Sequence, residues 1–168
     1  MRWELLFADL ESRLDAEERA DVDAEIAERT RDERAAVVLA GRLAAHAGLP
    51  ASVVLRGGGR AVGTVADVAG TWVLLDAPDG QAVVPLDAVA AIDGLGHASA
   101  PLTEVRRRLS VASALRELAE AGLPVRVETD GGAWRGVIVS VGADHLDLAV
   151  DSTMRAVPLG AVVAVRTG

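Results

Sequence analysis

Cysteine, lysine, asparagine and tyrosine are all missing from this chain of 168 residues, and aromatic residues make up only 2% of it. Without cysteine there is no disulfide framework, no thiolate nucleophile and no thiolate metal site. With three Trp and one Phe as the only large rings, a core has to be built from Ala, Val and Leu. Long apolar runs are missing too: none approaches the ~18 residues that a membrane-spanning helix needs. The opening stretch Met1–Phe7 turns acidic at Asp9, Glu11 and Asp15, which is unlike a secretory leader. These absences make a cytoplasmic location, with no membrane partner, the expectation. All 17 basic residues are Arg. Arg is favoured where bidentate pairing matters, but the joint loss of Lys, Asn and Tyr reads more simply as GC-rich codon usage. The 25 acidic residues outnumber them, for a net charge of −8. Bulk charge therefore disfavours nucleic acid and anionic membranes as partners.

What is present is enough to fold. The chain is 51% hydrophobic and 25% charged, which excludes disorder as its main state. Its length suits one domain or two very small ones.

The chain contains an internal repeat. Arg34–Pro50 (RAAVVLAGRLAAHAGLP) matches Arg108–Pro124 (RLSVASALRELAEAGLP) at an offset of 74, ending in the same Ala-Gly-Leu-Pro. After the Pro one residue drops out, and the offset becomes 73. Gly58, Gly59 and Gly63 then face Gly131, Gly132 and Gly136, and Val84-Pro85-Leu86-Asp87-Ala88-Val89 faces Val157-Pro158-Leu159-Gly160-Ala161-Val162.

Each copy begins with helical spacing (Val37, Ala40, Leu43; Val105, Leu109, Ala112, Leu115, Leu118). Each helix should stop at Gly48 or Gly122 before a Pro that cannot continue it. The period then changes to two, as in Val125, Val127 and Thr129, and Gly57-Gly58-Gly59 or Asp130-Gly131-Gly132 provides a hairpin turn. Three more short strands follow, interrupted by a Val-Pro-Leu-x-Ala-Val segment suited to one tight helical turn. Ahead of the repeat, twelve of the first 33 residues are acidic and no Gly or Pro interrupts them, so residues 1–33 predict acidic helices. Their narrow apolar stripe suits a hairpin or coiled-coil partner.

Five strands per copy resembles the Sm-like family of SH3-type barrels. The residues that carry the likeness are Gly63-x-Val65-x-Asp67-Val68 through Trp72-Val73-x-Leu75, then Val84-Pro85-Leu86-x-Ala88-Val89-x-x-Ile92, with a second copy from Gly136 to Val165. Taken whole, the chain also resembles proteins of high-GC Gram-positive bacteria. The resemblance implies an α+β chain: acidic N-terminal helices (1–33), a helix plus a first five-stranded barrel (34–95), and a helix plus a second (96–168).

Candidate sites are few. The Gly57–Gly63 run lacks the spacing of a dinucleotide loop and the Lys of a Walker loop, and reads as a hairpin turn. His46, His97 and His145 lie in different contexts; His145 lies between Asp144 and Asp147 but aligns with Trp72, a strand position. Ser and Thr are scattered without a base beside them, so no catalytic constellation, cofactor site or metal site is expected. Trp134 follows a Gly-Gly turn and is the best candidate contact residue, joined by Trp3 and Phe7, one helical turn apart. Arg106-Arg107-Arg108 is the one basic cluster. It reads either as phosphate contacts or as a solvated helix start that pairs with acidic residues. Where Sm-like RNA sites place a stacking ring and a Lys/His motif, this chain has Pro85-Leu86-Asp87 and Pro158-Leu159-Gly160. The expectation is a non-catalytic interaction or scaffolding protein, binding a protein partner or itself. The alternative is a nucleic-acid-associated regulator acting through Arg106–Arg108.

Overall fold

The computed structural model describes the backbone of residues 2–168 and the side chains from Ala16 onward. Its chain divides into two compact units, 1–37 and 38–168.

The first unit is one helix, α1 (Arg2–Ala35). At 34 residues it is about 50 Å long. From Ala16 on, its side chains are exposed apart from the half-buried Thr30, with Val22 and Ile26 at 55% and 58%. Local pairs support it, such as Arg29 with Glu25 one turn earlier at 3.4 Å. The helix ends at Ala35, with the Ala36 amide still donating to the Asp32 carbonyl at 3.0 Å.

The second unit starts with α2 (Leu39–Ala45), then β1 (Pro50–Leu55), β2 (Arg60–Val68), β3 (Trp72–Ala77), β4 (Gly80–Pro85), a 3₁₀ turn at Leu86–Ala88 and β5 (Val89–Asp93). Two helices follow, α3 (Glu104–Arg108) and α4 (Val111–Ala121). The strand series then recurs as β6 (Pro124–Thr129), β7 (Gly132–Val141), β8 (His145–Val150), β9 (Thr153–Pro158), a 3₁₀ turn at Leu159–Ala161 and β10 (Val162–Thr167).

Where spacing predicts one helix across Val105–Leu118, Ser110 divides it. Its backbone is extended and its hydroxyl accepts from the Ser113 amide at 3.2 Å, capping α4 as a new helix. Gly122, at φ 62°, takes the left-handed C-terminal position that the Ala-Gly-Leu-Pro ending predicts.

The duplication extends to the irregularities of the ladder. The β2–β3 register shifts between Val65 and Asp67, and the β7–β8 register between Ile138 and Ser140, 73 residues later. Likewise the β1–β5 pairing skips a residue after Val89, and β6–β10 skips one after Val162. A bulge bends a strand sharply, so each half curls over its own core. Leu43, Val53, Leu55, Val65, Val73, Leu75 and Val84 are buried in the first. Leu115, Val127, Ile138, Leu146 and Leu148 are buried in the second.

The expectation of two separate, closed barrels is overturned. All ten strands form one open antiparallel sheet, in the order β5-β1-β2-β3-β4-β10-β6-β7-β8-β9. Neither half closes on itself: β10 occupies the edge of β4 that β5 would have to take, and β4 occupies the edge of β10 that β9 would have to take. The physical reason lies in the small apolar residues at that edge. Val163 and Ala164 of β10 enter the first core, while Val165, next along the strand, enters the second. One strand thus serves both cores through its two faces.

Candidate interaction surface

The β4–β10 joint pairs Val165 with Val83, Arg166 with Ala82 and Thr167 with Gln81. Side chains fasten it on either side. The Arg56 Nε donates to both carboxylate oxygens of Asp130 at 3.1 Å, and its Nη2 donates to the Gly160 carbonyl at 2.7 Å. Arg166 Nη2 donates to the Arg60 carbonyl at 2.9 Å, while its Nε donates to Glu128 at 3.0 Å.

The sheet ends at two strands, β5 and β9, each with a neighbour on one side only. By the repeat, these are the counterparts of the two strands of the joint: β9 corresponds to β4 and β5 to β10. Burial separates the counterparts. Ala82 and Val83 are buried at 1% and 8%, and Val163 and Ala164 at 5% and 0%. The matching Ala156, Ala90 and Ala91 are exposed, and Arg155 is half-buried. Met154 on β9 adds an apolar side chain 55% exposed. The same surface is therefore covered in the middle of the molecule and bare at its two ends.

The residues singled out in the sequence fall elsewhere. Trp134 is half-buried against the second core. The Arg155 guanidinium lies 4.6 Å from the centre of its ring, a cation–π stack at the start of the β9 edge. Trp3 and Phe7 fall within α1, but their side chains lie outside the described residues.

Arg106, Arg107 and Arg108 form the last residues of α3. Arg106 is ion-paired with Asp67 and donates to the Val68 carbonyl at 3.3 Å. It lies on the wall of a concavity of about 400 Å³ that Ala44, Ala66, Pro101 and Leu102 also line. The Arg107 backbone lies against Gly70, where a Cβ would have no room. Arg108 pairs with Glu104 in its own helix. The fold does not bring these three residues together with Trp134 into one site.

His145 Nδ1 is 2.8 Å from Asp144 Oδ1. That hydrogen bond, opposed by partial burial, holds the imidazole above its ordinary value. The same bond, together with the imidazolium charge, holds the Asp144 carboxyl below its own. Among the described residues, no three His, Cys, Asp or Glu side chains gather closely enough to hold a metal ion. No helix of the described residues is long and apolar enough to cross a membrane.

Residue-type reasoning passes over Arg56, Asp93, Asp130, Arg155 and Ala156. The aligned repeat holds a signal for one pair. Ala51 faces Gly63 as Val125 faces Gly136, so β1 and β6 keep the offset of 74 and the dropped residue falls in the turn that follows; positions 56 and 130 are therefore equivalent, and they carry opposite charges. Compared with known proteins, the chain matches no protein-family model and no curated protein.

Proposed function

We propose that this chain is a non-catalytic interaction scaffold of the cytoplasm, and that its partners bind by adding a strand to the free edges β5 and β9. The observation that carries this reading is the contrast in burial between repeat-equivalent strands. The chain already buries one such edge pair internally, and it leaves a second pair open. An edge strand offers a row of unpaired amides and carbonyls, so main-chain pairing supplies affinity and the flanking side chains supply selectivity. Arg155 at β9 acts as a selectivity element: a strand without a negative group opposite it meets a guanidinium at the edge.

The nucleic-acid reading has less support, because Arg106 and Arg108 are engaged by Asp67 and Glu104. Anisotropy of labelled RNA and duplex DNA is expected to stay flat even at low salt.

The test of edge binding uses the β5 sequence as the probe, because it is the repeat counterpart of β10 and brings Asp93 opposite Arg155. A synthetic peptide of residues 89–94 is added to ¹⁵N-labelled full-length protein. Shifts confined to the amides of β9 and its neighbour β8 are expected. Unchanged spectra, or shifts centred elsewhere, would refute strand addition.

A further inference from the structure

We infer that three arginines on neighbouring strands, Arg166 of β10, Arg126 of β6 and Arg135 of β7, form a binding site for one tetrahedral oxyanion of the phosphate class. The site is separate from the free edges and does not depend on strand addition.

The first observation is register. Arg166 lies directly opposite Arg126, and Arg126 directly opposite Arg135. On β6 the neighbours Val125 and Val127 turn into the second core, so by the period of two the three guanidiniums share the opposite face. Directly opposed side chains on paired strands start only about 4.5–5.5 Å apart, and like charges at that spacing repel. The fold itself does not call for such a row. In the first half the equivalent positions are Asp93, Ser52 and Val62, paired in the same way. That row carries one negative charge where the second half carries three positive ones.

The second observation is incomplete neutralisation. Glu128 Oε1 accepts from Arg126 Nε at 3.1 Å and from Arg166 Nε at 3.0 Å, which holds both side chains in place. Arg166 Nη2 donates to the Arg60 carbonyl. Among the described residues Arg135 makes no hydrogen bond or ion pair. One carboxylate thus serves three guanidiniums, and two positive charges remain. A phosphate group, at about −1.5 to −2 near pH 7, matches that remainder. Guanidinium donors suit its oxygens, since each planar fork can bond two of them at once.

The third observation is a recess. Arg126, Arg135 and Arg166 line a hollow of about 50 Å³ together with Asp79, Gln81 and Gly168. That volume holds a few water molecules or one small ion, and no ring. Neither Asp79 nor Gly168 is ion-paired with an arginine of the row. Asp79 instead limits the site to a single group, because a second phosphate would meet its carboxylate rather than another cation.

Titration of ¹⁵N-labelled full-length protein with inorganic phosphate near neutral pH tests this inference, with sodium chloride at matched ionic strength as the control. Saturable shifts are expected at the amides and Nε–H groups of Arg126, Arg135 and Arg166, and chloride should not reproduce them. Arg135→Gln removes the arginine that has no partner, so the rest of the amide spectrum should stay in place. Phosphate binding by that variant should weaken by roughly tenfold or more. Three outcomes would overturn the inference: shifts that chloride matches, no saturation at millimolar phosphate, or an Arg135→Gln protein that binds as the parent does. Glycerol 3-phosphate is the second probe. Tighter binding than inorganic phosphate assigns the site to a phosphate ester, and equal or weaker binding assigns it to the free ion.

Discussion

Arg56 and Asp130 occupy the same position in the two halves of a duplicated sequence, and they are bonded to each other at 3.1 Å. The duplication itself sets up this contact, because the equivalent corners of the two halves meet where β4 and β10 pair. Their side chains are 40% and 47% exposed. Solvent screening therefore limits the pair, and a double-mutant cycle should give a coupling of about 0.2–1 kcal/mol. Arg56→Ala should cost somewhat more than the coupling alone, since the Gly160 carbonyl also loses its donor. Urea denaturation of the two single variants and the double variant measures both quantities.

Trp134 separates a structural role from a contact role. Its ring packs on the second core beneath Arg155. Trp134→Ala should lower stability by about 2–3 kcal/mol, below the full core value because the ring is only half-buried. Arg155→Ala should cost about 0.5–1 kcal/mol through loss of the cation–π stack. A Trp134→Ala protein as stable as the parent would show that the ring contributes nothing to the core.

The Asp144–His145 pair has a defined pH signature. The imidazole is raised above its ordinary 6.5, so the contribution of its charged form is complete below that value. It is lost as pH rises through the raised pKa. Asp144 is lowered from 3.8, so its contribution is present above that value and is lost as pH falls through the lowered pKa. The bond is thus strongest at mildly acidic pH. An NMR titration should place His145 above an ordinary histidine, and Asp144→Asn should bring it back toward 6.5. An unchanged titration in that variant would assign the shift to another group.

Much of the fold is legible in the sequence because local chemistry encodes it. Gly57 and Gly58 both have positive φ in the first hairpin turn, and Pro85 and Pro158 each precede one 3₁₀ turn. Gly63 and Gly136 lie within strands where the carbonyls of Asp76 and Ala149 leave no space for a Cβ. What alternation does not encode is which strand lies at an edge. Val83 and Ala164 would have the same pattern of small apolar residues in a closed barrel as in an open sheet. Only the tertiary pairing of β4 with β10 decides between them. The candidate surface was hidden for the same reason: Ala156 and Ala90 carry no chemistry of their own. They become notable only beside their buried counterparts. Ser110 is a local signal of the break between α3 and α4, since a Ser before a helical run is an N-cap.

The absence of cysteine provides the most direct test of strand addition at β9. An Ala156→Cys protein is mixed under mild oxidation with a peptide of residues 89–94 that carries Ile92→Cys, and a Val22→Cys protein, with its cysteine on the exposed surface of α1, is the control. Directly opposed residues of antiparallel strands have Cα atoms about 4.5–5.5 Å apart, within the range a disulfide spans. The account predicts an adduct that forms rapidly with Ala156→Cys and only slowly with Val22→Cys. No adduct with Ala156→Cys, or equal rates for the two proteins, would contradict it.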